Sequence, residues 1–392
     1  MLQLYNQTFY EIFISYAPYI FIVLVFFVVI LYLYFKYKHK HWLNQPIHNK
    51  YDPRLWYKNG VITDVVKFNK YFKPMCYSSD WTQVPTEKKT LLRFFLESQH
   101  NYYNSLPISF TIENLNSYLT KHNSKCYVTL QYKDPVKQKK LIGSILSKPI
   151  EGRFYNKDLN LYYWDFICVN PGVDKKVYFE TLYTHYKRHR ESNIVKYFLF
   201  RSIEKIEIAT SLVQYESALF PIKFFPNKIK SNCKNVSFIM LTSGNYRLFL
   251  NMYYKLYEVF DCFLHVNISQ LTYLLDQKLL FITLIMLHNK PIACYFFKNT
   301  HSLYYKSPVV SLVGSYQQNV NDELFIEGFY NSILLVYERI RFKNIMIENL
   351  AHNEKILNDV KKFKPLVRQT IYYYFYNFAY RPFKNDQVLF LL

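Results

Sequence analysis

The sequence predicts a mixed α+β body made of two units with one order of elements, preceded by a single membrane-spanning helix. Three observations carry this reading. Residues 17–35 form an uncharged apolar run, short β-rich runs alternate with amphipathic helices after it, and that order recurs on either side of a polar, lysine-rich stretch at residues 227–235.

From Ile20 onward the apolar run is almost wholly Ile, Leu, Val and Phe with an occasional Tyr. At about 1.5 Å per residue it is long enough to cross a hydrocarbon core of about 30 Å. Roughly fourteen strongly apolar residues at about −0.4 kcal/mol each favour insertion by ~5 kcal/mol. A buried core helix would need a polar stripe. A cleaved signal peptide would need a basic n-region, a shorter apolar stretch and a small-residue cleavage site, whereas only Glu11 precedes the run as a charge. Behind it Lys36, Lys38 and Lys40 interleave with Tyr37, His39 and His41, and positive charge on that flank places it in the cytosol. The expectation is a single-pass membrane protein with its N-terminus out and its body cytosolic, organised as residues 1–36, 37–227 and 228–392.

All 49 Lys and Arg lie beyond Phe35, with every acidic residue except Glu11, and the chain's net charge is +21. Such a surplus suits anionic lipid, nucleic acid or a phosphorylated ligand such as coenzyme A, without choosing among them. The lysine-rich stretches at 133–140 and 361–364 read as hairpin and helix-end charges. No helix-turn-helix, zinc-finger or RNP pattern accompanies them, which weighs against nucleic acid. Seven glycines and no phosphate-loop motif weigh against nucleotide hydrolysis. Cys76, Cys126, Cys168, Cys233, Cys262 and Cys294 are scattered without a C-x-x-C pair, so reduced, buried thiols are expected and zinc is not. His185 and His189 stand four apart on a helix, but Tyr186, Lys187 and Arg188 between them predict a solvated basic face rather than a metal site.

Along the body, Pro85 and Thr86 open a helix through Leu91, Leu92, Phe95 and Leu96, and a second follows Thr111 with Ile112, Leu115 and Leu119 on one face. Strands are expected at 126–132, 141–147 and 159–169, then a basic helix at 175–189 and a strand at 195–200. Beyond the 227–235 boundary come a strand at 236–241, a helix at 245–259, strands at 279–287, 292–297 and 303–313, and a helix at 322–341. A strand at 344–347, a helix at 354–363 and a strand at 370–376 complete the second unit. An antiparallel hairpin feeding a strand, a helix and another strand is the order an acyl-CoA-binding, acetyltransferase-like domain would show, and one that many α+β folds share.

His39-Lys40-His41-Trp42-Leu43-Asn44-Gln45-Pro46-Ile47 resembles the N-terminal signature of the protein N-myristoyltransferases, H-K-F-W-x-T-Q-P-V. Asp165-Phe166-Ile167-Cys168-Val169 resembles that family's N-F-L-C-V strand. Gly314-Ser315-Tyr316 is similar to Y-S-F/Y, Leu350-Ala351-His352-Asn353 to L-M-D-N, and Tyr373-Tyr374-Phe375-Tyr376-Asn377-Phe378 to Y-Y-L-Y-N-W. The matches keep the family's order, and the resemblance covers nearly the whole body but not the membrane helix. It implies an acyl-CoA N-acyltransferase fold with tandem acetyltransferase-like halves, acyl-CoA as co-substrate and a protein N-terminus as acceptor. The implied oxyanion hole is the backbone N–H groups of Phe166 and Ile167 at a strand bulge. The implied base is the α-carboxylate of Leu392, which follows a final apolar run from Val388; an apolar setting disfavours ionisation, the direction a base for an ammonium needs. His39, Lys40, His41, Trp42, Cys168, Val169, Lys175 and Lys176 would hold coenzyme A. Tyr102, Tyr103, Ser315, Tyr316, Arg368 and Tyr374 would face the peptide.

Four departures accompany the resemblance. The family's phosphate turn R-S-K-R-L-A-P is here Asp174-Lys175-Lys176-Val177-Tyr178-Phe179-Glu180, bulky where small residues let backbone N–H groups approach pyrophosphate. N-Y-V-E-D becomes Asn101-Tyr102-Tyr103-Asn104-Ser105 without its acids, the histidine of R-Y-W-H-R-x-L becomes Glu216, and the aspartate of G-D-G becomes Arg368. The resemblance thus implies a membrane-tethered acyltransferase acting on an N-terminal glycine amine. A catalytically inactive relative that binds acyl-CoA or acylated termini is the first alternative, and a basic membrane protein that contacts nucleic acid is the second. The orientation predicts that, in cells of a secretory host, the Asn6-Gln7-Thr8 acceptor is open to N-glycosylation while Asn235-Val236-Ser237 and Asn267-Ile268-Ser269 stay bare. Glycosidase-sensitive mass on either of the last two would reverse the topology.

Overall fold

A computed structural model describes residues 2–66, 68–84, 88–98, 106–134, 136, 139–155, 157–226 and 235–392, with side chains described for all but 2–15 and 139. The expected boundary at 227–235, apart from Asn235, lies outside the described residues. So do Cys233, Pro85, Thr86 and the whole 101–105 segment that holds Tyr102 and Tyr103. The chain forms two compact units, Met1–Gln45 and Pro46–Leu392.

In the first unit, helix α1 (Leu2–Lys38) starts well ahead of the apolar run, because no proline or glycine interrupts residues 2–17. The stretch Tyr16–Lys38 is long and apolar enough to cross a membrane, and none of its apolar window is buried. A single 3₁₀ turn, Trp42–Asn44, follows.

The second unit begins with β1 (Gly60–Val61), β2 (Tyr77–Asp80), α2 (Lys88–Glu97), α3 (Ile112–Leu119), β3 (Tyr127–Asp134), β4 (Lys139–Phe154), β5 (Lys157–Val169), α4 (Lys176–Glu191), β6 (Phe198–Ser202) and β7 (Val213–Pro221). It continues with β8 (Val236–Met240), α5 (Arg247–Val259), β9 (Cys262–His265), α6 (Ile268–Asp276), β10 (Leu280–Leu287), β11 (Lys290–Tyr304) and β12 (Ser307–Gln317). The last elements are α7 (Asp322–Arg339), β13 (Asn344–Glu348), α8 (Asn353–Val360), β14 (Val367–Tyr376), β15 (Phe378–Ala379) and β16 (Val388–Leu391). The sequence reading missed β2, β7, β9 and α6. Strands β2 and β9 are four residues long, too short for a period, and β7 carries polar Gln214 and Glu216 on its exposed face. Helix α6 is held by a local cap, the Asn267 side chain accepting from the Gln270 N–H at 2.8 Å.

One large sheet runs β16-β9-β4-β5-β6-β14-β7-β13-β12-β11-β10-β8, with β3 also beside β4 and β2 beside β3. The expected repetition is plain in it. Antiparallel β3, β4 and β5 lead through α4 to β6, which lies parallel to β5, and antiparallel β10, β11 and β12 lead through α7 to β13, parallel to β12. The repeats exchange strands, since β14 lies between β6 and β7 while β7 pairs β13. This is the tandem acetyltransferase-like α+β fold.

Both repeats also bulge at the same place. The β5–β6 pairing ends at Trp164 with Phe200, and β5 then sets Phe166 and Ile167 opposite the single Ile145 of β4. The β12–β13 pairing ends at Leu312 with Ile347, and β12 carries Val313 as an extra residue against β11. A bulge twists its strand away from its neighbour, so each repeat splays beyond it. Next to the second bulge the space is filled by β16. A Cβ on Gly314 would come within 2.4 Å of the Leu389 side chain. Val388 to Leu391 are all buried, and burial of such side chains stabilises by about 1.5–3 kcal/mol each. Gly314→Val should therefore lower the unfolding free energy by ~1–3 kcal/mol in urea titration, whereas an unchanged midpoint would show that β16 does not depend on that close approach.

Candidate active site

Capping starts the first wall of the site. Thr111 Oγ1 accepts the Asn114 N–H and Asn114 Oδ1 accepts the Thr111 N–H, each at 3.2 Å, which fixes α3 and buries Tyr118 on its inner face. The second wall is the bulge. Phe166 has φ +48, a left-handed conformation that costs a bulky residue ~1 kcal/mol or more. Its ring is gripped by Phe95 at 4.9 Å, Phe110 at 5.6 Å and Tyr118 at 6.2 Å between centroids. The strained backbone is thus held by packing.

These walls enclose a cleft of about 500 Å³, its open mouth included, lined among others by Phe110, Tyr118, Asp165, Phe166, Lys298 and Leu392. An apolar pocket of about 280 Å³, open solvent space included, shares Phe110 and Phe166 with it and adds Cys168 and side chains of α2 and α3. A third, of about 370 Å³, shares Lys298, Thr300 and Leu392 and adds Arg201, Glu348 and Tyr373. An apolar chamber and a polar one therefore adjoin a single cleft, at whose edge β16 delivers Leu392.

The charges of the cleft are coupled. Lys298 Nζ donates to the Leu392 main-chain oxygen at 2.6 Å, so the apolar surroundings expected for Leu392 are broken by a lysine. Asp165 is buried, accepting the Tyr118 hydroxyl on Oδ2 at 2.6 Å and the Phe166 N–H on Oδ1 at 3.2 Å. Burial pushes its carboxyl up to about 6, against the pull of Lys298, the Phe166 N–H and Arg201. Behind Tyr118, buried Lys148 has Nζ 3.5 Å from the ring centre, and burial with the nearby Lys298 charge drives it well below the usual lysine range.

Of the residues singled out from the sequence, Phe166 and Leu392 meet in this cleft, Ile167 is the other half of the bulge, and Cys168 faces the apolar chamber. Val169 ends β5 opposite Gly143. At the start of α4, Lys176 pairs with Glu180 at 3.5 Å and its N–H bonds Asp174 Oδ1 at 2.8 Å, while Lys175 is exposed. A carboxylate thus already occupies part of that helix end. Phe179 is fully buried, so its bulk lies in the core and not at the turn. His39, Lys40, His41 and Trp42 belong to the first unit, where His39 packs on Phe35 at 4.8 Å and Lys40 lies over Tyr37 at 5.3 Å. Ser315 is buried and donates to Asn353 Oδ1 at 2.6 Å, and Tyr316 is buried beside His352. Strand alternation puts Tyr373 at the polar chamber and turns Tyr374 the other way, where it accepts the Ile206 N–H at 2.9 Å. Arg368 is exposed and pairs with Glu216 at 3.5 Å, so two of the departures from the family pattern are each other's partners.

Tyr118, Lys148, Arg201 and Lys298 escaped the sequence reading. A lysine inside the apolar runs 141–154 and 292–297 extended to 298 was the available signal. His185 and His189 correct it too. They are buried, their rings 4.2 Å apart, against Trp164 and Phe198, and not on a solvated face.

The fold is the tandem acyl-CoA N-acyltransferase-like one. Among the solved structures it is similar to are those of Saccharomyces cerevisiae N-myristoyltransferase. One with bound myristoyl-CoA has a TM-score of 0.67 at 14% identity, over 88% of this chain and 94% of that one. Another with bound myristoyl-CoA has 0.69 at 14%, over 90% and 94%. A third, with myristoyl-CoA and inhibitors, has 0.65 at 14%, over 88% and 91%. No family model matches the sequence, and no curated protein matches it.

Because Asp165 holds its proton more tightly folded than unfolded, its ionisation removes stability as pH rises from about 4 towards about 6. Across that window the unfolding free energy of the native chain should fall by ~2–3 kcal/mol relative to Asp165→Asn. Parallel pH dependences of the two would refute the burial of an ionisable Asp165.

Proposed function

We propose that this protein is a membrane-tethered N-acyltransferase that moves a fatty, myristoyl-like acyl group from coenzyme A to the N-terminal glycine amine of a protein. The observation that carries the reading is the meeting, in one cleft beside an apolar chamber, of a bulged strand at Phe166 and Ile167 with Leu392. In this reading the half at 37–227 takes acyl-CoA and the half at 228–392 the peptide. The body lies in the cytosol, where coenzyme A is found. In the second unit Lys175 and Lys176 act on coenzyme A, the role that the resemblance gives in the first unit to His39, Lys40, His41 and Trp42.

The acceptor ammonium gives one proton to the Leu392 α-carboxylate. The freed amine nitrogen then forms the C–N bond to the thioester carbon, and the Phe166 and Ile167 N–H groups steady the oxyanion. As the C–S bond breaks, coenzyme A leaves as thiolate and takes up the amine's second proton. Cys168 and Val169 line the acyl side, while Ser315, Tyr316 and Arg368 shape the peptide side, with Tyr373 rather than Tyr374 at the chamber wall.

A second reading, an inactive relative that keeps acyl-CoA or an acylated terminus bound, is favoured by Lys298 on the Leu392 oxygen and by Asp174 at the α4 start. Two alanines appended after Leu392 separate the two. The extended chain should retain labelled myristoyl-CoA but lose at least ~10²-fold in turnover. Equal turnover in both forms removes the base from Leu392, and failure of the native chain to retain the ligand removes the acyl-CoA reading altogether.

A further inference from the structure

Resting on the acyltransferase reading, we propose that Asp165 sets the rate of this site as its own oxyanion surrogate: its carboxylate holds the Phe166 N–H that a thioester oxygen would otherwise use. The geometry is local and direct. Asp165 Oδ1 accepts that N–H at 3.2 Å, and Oδ2 is tied to the Tyr118 hydroxyl at 2.6 Å, so the carboxylate is clamped from two elements rather than swinging freely. It is 2% exposed and lines the same cleft as Phe166, Lys298 and Leu392.

An anion in this position acts twice against the reaction. It takes up a donor aimed where negative charge must develop, and, beside a nascent oxyanion in a closed cleft, it repels that charge. The groups facing it decide how firmly it stays. Tyr118 from α3 donates to it, Lys298 from β11 and Arg201 from β6 attract it, and the Cys168 thiol lies near it on β5. Lys148 from β4 stands behind Tyr118, and the Leu392 oxygen competes for Lys298. Burial resists the charge more strongly than these partners support it, and the balance is reached at about pH 6. Below that the carboxyl is neutral and yields the N–H; above it the site is self-occupied. Thioesters are therefore processed by the protonated fraction.

The test uses the full chain in membranes or detergent. At pH 7.5, Asp165→Asn should raise turnover of myristoyl-CoA with a glycine-starting peptide by ~10-fold or more, and the ratio of variant to native should fall towards one at pH 5. Lower or equal turnover of the variant at pH 7.5 overturns the proposal. A binding arm stands apart from catalysis, comparing myristoyl-CoA with the S-alkyl thioether of the same chain length, which lacks the carbonyl oxygen. The native protein should bind both alike at pH 7.5 and gain a ~2–10-fold preference for the thioester at pH 5, a preference that Asp165→Ala, whose side chain has no acceptor, shows at both pH values. A native preference already present at pH 7.5 overturns the surrogate role while leaving the acyltransferase reading intact. Retention of neither ligand by any form overturns that reading and this inference with it.

Discussion

The long antiparallel ladder between β4 and β5 is the constraint on which the rest of the body depends. It runs from Phe154 with Lys157 to Gly143 with Val169, and every feature of the cleft is a consequence of where its neighbours join or leave it. On one side β9 pairs with Glu151 to Phe154 of β4 and brings β16 alongside. On the other, β6 follows β5 only from Tyr162 to Trp164. What remains of β5 beyond that point has a partner on one side alone, and the bulge at Phe166 and Ile167 falls there. A regular ladder would put those residues in register with β4 and leave no strained backbone to turn into a cleft.

The chemistry of the cleft follows from its low polarity and few charges. Lys298 donates to the Leu392 main-chain oxygen and its charge acts on buried Asp165, and a second lysine lies buried behind Tyr118. In such surroundings each charge is felt by all the others, and a neutral substitution at one position changes the state of its neighbours. That Glu216 and Arg368 depart from the family pattern together and meet as a pair is a surface counterpart of the same rule, though exposure makes their attraction weak.

Much of the fold was legible because hydrophobic period and local caps point the same way. Helix α3 behind Thr111, the β3 to β5 strands, α4, and the β10 to β13 series all exist where pattern put them, although β4 and β11 run on to Phe154 and Tyr304, well past the expected ends at 147 and 297, and β12 begins only at Ser307. Short strands such as β2 and β9 were not, since four residues carry no period and their stability comes from partners distant in sequence. At the site, the motif at residues 165–169 was legible and its bulge with it. Lys298 and Tyr118 were not, because their importance lies in meeting across β11 and α3, a property no local window contains. The Tyr373 to Phe378 match owes its strength to structure. Asn377 is fully buried and bonds the main chain at Thr63 and Lys196, and Tyr373 alone of the adjoining tyrosines at 373 and 374 looks into a chamber.

The exchange of strands in the middle of the sheet bears on how such a body comes into being. With β14 inserted between β6 and β7, and β7 against β13, neither repeat owns a complete sheet. A fragment ending between β7 and β8 would leave β6 and β7 as open edges, rows of unpaired N–H and C=O groups ready to join any passing strand. The duplication is therefore no longer separable into its copies. What reads along the chain as two repeats is, for assembly and for turnover by proteases, a single cooperative object, and its early-made portion must wait with exposed edges until β14 has been synthesised.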